Sequence, residues 1–160
     1  MTSVLRCDQL ETLLRGELTA ASGLHALLLA EESAIAARDV DAMQQIVADK
    51  QPLLAELESL HQRHAALLAA AGMADDKSGL EAAAQECKGA LPEVWSQLQQ
   101  GLAECQRQNQ INGRLLTTSQ LHTQRALSIL LGRQGEADEL YTADGRAAPA
   151  HFGGSHGIKV

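Results

Sequence analysis

An all-α fold is what this sequence predicts, and three observations carry the prediction. Leu and Ala together make up roughly a third of the chain, the composition of long helices. Aromatic residues are only 2%, namely Trp95, Tyr141 and Phe152, and β-branched runs that would build a sheet are nearly absent. Apolar residues recur at three- and four-residue steps, the period of an amphipathic helix. At 160 residues the chain can bury a single core. The expected architecture is an antiparallel bundle of three long helices plus one short helix over residues 1–132. Residues 133–160 are expected to form a mobile tail.

The first helix is expected from about Thr2 to Ala37. Leu10, Leu14, Ala21, Leu24, Leu28 and Ile35 form its stripe, and Leu13, Leu18, Leu27 and Leu29 widen it enough to touch more than one neighbour. Gly16 and Gly23 each weaken it by up to about 1 kcal/mol. Arg38-Asp39 is a tight break, with Asp39 placed to cap the next helix and Asp41 favoured by the helix dipole. That second helix extends to about Ala71, striped by Met43, Ile46, Val47, Leu53, Leu57, Leu60, His64, Leu67 and Leu68. Pro52 cannot donate to Ala48, so a kink or a restart is expected there. So short a connection makes the first two helices an antiparallel hairpin.

Residues 72–79 read as a loop. Ser78 and Glu81 have capping-box spacing and would open a short helix over about 79–88. Gly89 and Pro92 mark a corner, with Pro92 in the first turn of the last helix. Leu91, Trp95, Leu98, Leu102 and Cys105 stripe the first half of that helix. The same register would next reach Asn109 and Asn112. Apolar residues resume displaced, through Ile111, Leu115, Leu121, Leu127 and Leu130, so the buried face is expected to rotate in the amide-rich patch. Gly132 is the expected C-cap. Beyond Arg133, glycines punctuate small and polar residues that bury too little apolar area to offset their ordering entropy.

A net charge of −7, with no basic block and no stacking aromatics, argues against nucleic-acid binding. No apolar run reaches the roughly 18 residues of a membrane span, and the N-terminus does not have the pattern of a secretory signal. Cys7, Cys87 and Cys105 stand far apart in sequence, with no pairing expected. A sparse, odd count suits a reducing cytoplasm. Glu58-x-x-His61 is half of the pattern that carboxylate-bridged metals use in helical bundles. The second half is missing, and His61 and His64 have no cysteine at ligand spacing. A solvated Glu–His pair, with no metal or other cofactor, is the expected reading. No nucleophile elbow, phosphate loop or dinucleotide turn is present, so an enzyme is not expected.

Asn109 and Asn112 have two readings. Buried amides in a Leu-rich interface fix register; alternatively they bond a partner together with Gln106, Gln108 and Gln110, with Gly113 permitting close approach of another helix. The Leu115–Leu131 stripe is either core against the hairpin or a surface for an incoming amphipathic helix.

Three stretches resemble one family across essentially the full length: Ala37–Met43 with Asp49–Leu57, Cys105–Gly113, and Leu140–Gly145 with its Gly-rich end. The chain resembles the FlgN-type flagellar export chaperones, with Pro52 departing from the helix former expected at its position. The resemblance implies a cytoplasmic chaperone that holds C-terminal helical segments of hook–filament junction (hook-associated) proteins. It would prevent premature assembly and deliver these clients to the type III export gate. Carried over by position, client contacts fall on Leu115, Leu116, Leu121, Leu127, Leu130 and Leu131, beside Asn109 and Asn112, and gate docking falls on Tyr141. The alternative is a structural or regulatory bundle that forms a homodimer through the Leu115–Leu131 stripe.

Overall fold

The computed structural model describes residues 5–130, apart from the side chain of Ser128. Four α-helices follow in order: α1 Cys7–Ala37, α2 Val40–Ala70, α3 Lys77–Cys87 and α4 Leu91–Leu130. The expected Gly132 cap, the tail, Leu131 and Tyr141 lie outside the described residues. The chain divides into two compact units, Met1–Leu116 and Thr117–Val160.

The hairpin forms as its sequence dictates. Arg38 closes α1 in the left-handed conformation, φ 55°. Asp39 then caps α2, its Oδ1 accepting from the Ala42 amide at 2.9 Å. Helix α2 continues through Pro52 as one element, so no restart occurs. Gly16 and Gly23, expected to weaken α1, stand where the hairpin closes. A Cβ on Gly16 would come 3.2 Å from Leu60, and one on Gly23 3.3 Å from Leu53. These contacts also fix direction: rising numbers on α1 meet falling numbers on α2.

The turn into α3 differs from expectation. Asp76, not Ser78, is the N-cap: its Oδ1 accepts from the Gly79 amide at 2.8 Å and from the Ser78 hydroxyl at 2.7 Å. Asp76 and Ser78 are both good cap residues, and the chain places its cap two residues earlier. Those two hydrogen bonds hold the Asp76 carboxyl below its ordinary range. Gly79 is required by space, since a Cβ there would lie 1.9 Å from the Ala74 carbonyl oxygen.

Helix α4 returns along α1 in the same direction, with Cys105 Sγ 3.3 Å from the Ala21 carbonyl oxygen and Asn112 Nδ2 2.8 Å from that of Leu28. Thus α2 runs antiparallel to both. The core gathers at the α3 end of the first unit, from Leu5, Leu10, Leu14, Leu68, Leu80, Leu91, Val94 and Leu98. Burying each leucine is worth about 1.5–3 kcal/mol. Cys7 and Cys87 border this core and are joined by a disulfide. This corrects the expectation of three unpaired thiols: proximity came from folding, across 80 residues of separation. Cys105 is the free, buried cysteine.

Candidate functional site

The buried face of α4 does not rotate at the amide patch. Leu91, Val94, Leu98, Cys105, Gln108 and Asn112 are all buried, at three-, four- and seven-residue steps that keep to one face. Leu102, expected in the stripe, is exposed, and Trp95 is half-buried. Polar residues take over the interior in the same register because α1 offers them partners.

Those partners make a compact network. Asn112 is 3% exposed. Its Nδ2 donates to the Leu28 carbonyl and to Glu31 Oε2, both at 2.8 Å. Its Oδ1 accepts from Gln108 Nε2 at 3.0 Å, and the same nitrogen donates to Glu32 Oε2 at 2.7 Å. Lys50 of α2 closes the network, 2.6 Å from Glu31 Oε1. Glu31 therefore ties α1 to both α2 and α4. A buried carboxylate needs such compensation, because desolvation alone would penalise its charge. Of the two register readings of the amides, Asn112 follows the interior one.

Asn109 is separated from it. It is exposed and, with Gln106, borders a groove of about 330 Å³ lined by Leu24, Leu28, Lys50, Leu54 and Cys105. Burial raises the Cys105 thiol pKa above its ordinary value, with Glu104 adding to the effect. Gly113 is exposed, and a Cβ there would meet nothing within 4 Å, so the described chain makes no use of its missing side chain for close packing.

The leucines expected to take a client are largely uncovered. At the end of the first unit, Leu115 is 37% and Leu116 43% exposed. In the second unit, Leu127 is 52% and Leu130 81% exposed, with Ile129 beside them at 58%. Leu121 is half-buried. Leu127 and Leu130 are one turn apart and share a helix face. A helix that displays such residues has more apolar surface than the described chain covers.

A second cluster lies at the other end of the first unit. His64 is buried at 3% side-chain exposure, and its Nδ1 is 2.5 Å from Glu17 Oε1. A carboxylate only accepts, so Nδ1 carries the proton. His64 Nε2 is 3.4 Å from Asp75 Oδ1 but makes no hydrogen bond. Burial disfavours the charged imidazolium, yet the Glu17 hydrogen bond and charge, with Asp75, outweigh it and raise the His64 pKa. His61 stands beside it, its ring perpendicular and 4.7 Å away. Asp75 was not singled out in the sequence; the available signal was an acidic pair in the loop after His61-x-x-His64. Glu58 instead takes a bond from Gln62 at 3.4 Å, so the Glu58–His61 pair does not assemble a site.

A helical bundle whose last helix shows uncovered leucines is the frame of a protein that binds other chains. The chain belongs to the FlgN protein family, whose model matches residues 1–149. It is therefore a flagellar export chaperone in the general sense of that family, which is a family of chaperones and not of enzymes. No curated protein and no solved structure matches the chain. No helix among the described residues is long and apolar enough to cross a membrane.

Proposed function

We propose that this chain binds the C-terminal helical segments of hook–filament junction proteins through the exposed leucines of α4. It keeps those clients from assembling early and delivers them to the type III export gate, acting in the cytoplasm without a catalytic step. The observation that carries the reading is the exposure of Leu115, Leu116, Leu127 and Leu130 in a chain of this family. An amphipathic client helix left bare would aggregate or polymerise; laying its apolar face on leucines buries area worth about 25 cal/mol per Å². Asn109 joins this surface from the exposed side of α4. The inward position of Asn112 suits holding the helix in register. Tyr141 is the proposed gate contact. The Cys7–Cys87 bond removes cysteine usage as an argument for the cytoplasm, so that placement rests on the family.

The test is capture of purified junction proteins by the full chain and by a Leu127→Glu/Leu130→Glu variant. The expected result is loss of capture with unchanged helix content. Equal capture by both would take these leucines out of the mechanism. Sedimentation at low micromolar concentration separates the dimer reading, which requires a tight homodimer that clients do not dissociate.

A further inference from the structure

We propose that His61, His64 and Asp75 form a binding site for a divalent metal ion of the Zn²⁺ type, with Glu17 as a positioning residue behind it. The site is independent of client binding. His61 and His64 are one turn apart on α2, and Asp75 comes from the loop between α2 and α3. One ligand atom from each lies within 4.8 Å of the other two. Asp75 Oδ1 is 3.4 Å from His64 Nε2 and Asp75 Oδ2 is 3.5 Å from His61 Nε2. Tetrahedral Zn²⁺ with bonds near 2.0–2.1 Å sets its ligand atoms roughly 3.3 Å apart; each histidine nitrogen is near that distance from a different Asp75 oxygen, so a single ion requires the carboxylate or the His61 ring to rotate. His61 has 57% of its side chain exposed and is free to turn toward the ion.

The buried histidine supplies the independent observation. Glu17 accepts the Nδ1 proton of His64, so Nε2 is the ring nitrogen turned to the Asp75 carboxylate, 3.4 Å away. Nε2 is buried and makes no hydrogen bond there. A cation held between the nitrogen and the carboxylate, a proton or a metal ion, satisfies both, and a bound metal ion would displace the proton. A carboxylate behind the far nitrogen of a ligating imidazole is the recurrent support of metal-bound histidine, fixing its tautomer and orientation. Two imidazoles and one carboxylate favour Zn²⁺ and its neighbours over Mg²⁺ or Ca²⁺, which take oxygen ligands. Water would fill the fourth position. The bound ion would pin the loop after α2 to the helix that precedes it.

The experiment is titration of the chelator-treated full chain with Co²⁺, followed by displacement with Zn²⁺. One equivalent of Co²⁺ should give the visible absorption of a tetrahedral site, and Zn²⁺ should raise Tm. His61→Ala and Asp75→Asn alter exposed groups; both should fold normally and weaken binding at least tenfold. Glu17→Gln should weaken it about 10–100-fold without removing a ligand. The proposal is overturned if no saturable equivalent binds, or if His61→Ala and Asp75→Asn retain full affinity because the ion is held elsewhere.

Discussion

Replacing Asn112 with Ala separates a scaffold residue from a client contact. The side chain makes three hydrogen bonds, to the Leu28 carbonyl, to Glu31 and from Gln108. The bond to the Glu31 carboxylate is worth about 1.5–3 kcal/mol and each neutral one about 1 kcal/mol. Glu31 keeps Lys50, so its charge is not stranded. The expected loss is about 3–5 kcal/mol, a large share of ordinary domain stability, with a fall in Tm of roughly 10 °C. Urea unfolding followed by far-UV circular dichroism measures it. A cycle with Glu31→Ala should show a coupling of about 1–3 kcal/mol between the two positions. At a temperature where the variant remains folded, client capture should be nearly unchanged. A stability loss below about 1 kcal/mol, or lost capture at full stability, would refute the interior role.

Other consequences are open to simpler assays. Gly113→Ala should raise stability by up to about 1 kcal/mol, since Gly is disfavoured inside a helix and the added Cβ meets nothing; a lower Tm would show an unseen packing constraint. Native, unreduced chain should show no thiol that iodoacetamide modifies quickly, because Cys7 and Cys87 are bonded and burial keeps Cys105 protonated; mass spectrometry should find one modified cysteine after denaturation. Cys7→Ser with Cys87→Ser removes closure of a loop spanning 80 positions, so stability should fall by up to about 4–5 kcal/mol in denaturant titration, and no change would exclude a structural disulfide. Tyr141→Ala should leave client capture intact and reduce export; collapse of capture would assign Tyr141 to the client instead.

The parts of this fold that depend on near neighbours were readable in the sequence. Asp39 caps α2 three residues from the amide whose hydrogen bond it accepts, and the apolar steps of α1 and α2 report most of the covered faces, with Leu29 and Val47 exposed against expectation. What escaped needs distant partners. Asn112 reads as part of an interruption because periodicity counts apolar residues, and nothing local reveals that Glu31 will meet it, that Glu32 will meet Gln108, or that Lys50 will pair with Glu31. The Cys7–Cys87 bond and the Asp75–His64 approach likewise join segments that share no motif. Ser78 and Asp76 compete for one cap, and the loop geometry that requires Gly79 decides between them. Spacing puts Leu127 and Leu130 on one apolar stripe, but it does not separate the exposed Asn109 from the buried Asn112.

Photo-cross-linking maps the proposed client surface most directly. A photoreactive side chain at Leu127 of the full chain, irradiated with a junction protein, should cross-link to that protein's C-terminal helical segment. The same probe at Val47, an apolar position 49% exposed on α2, should not. Cross-links from Val47 with none from Leu127 would contradict the assignment and move the client to the hairpin side of the bundle.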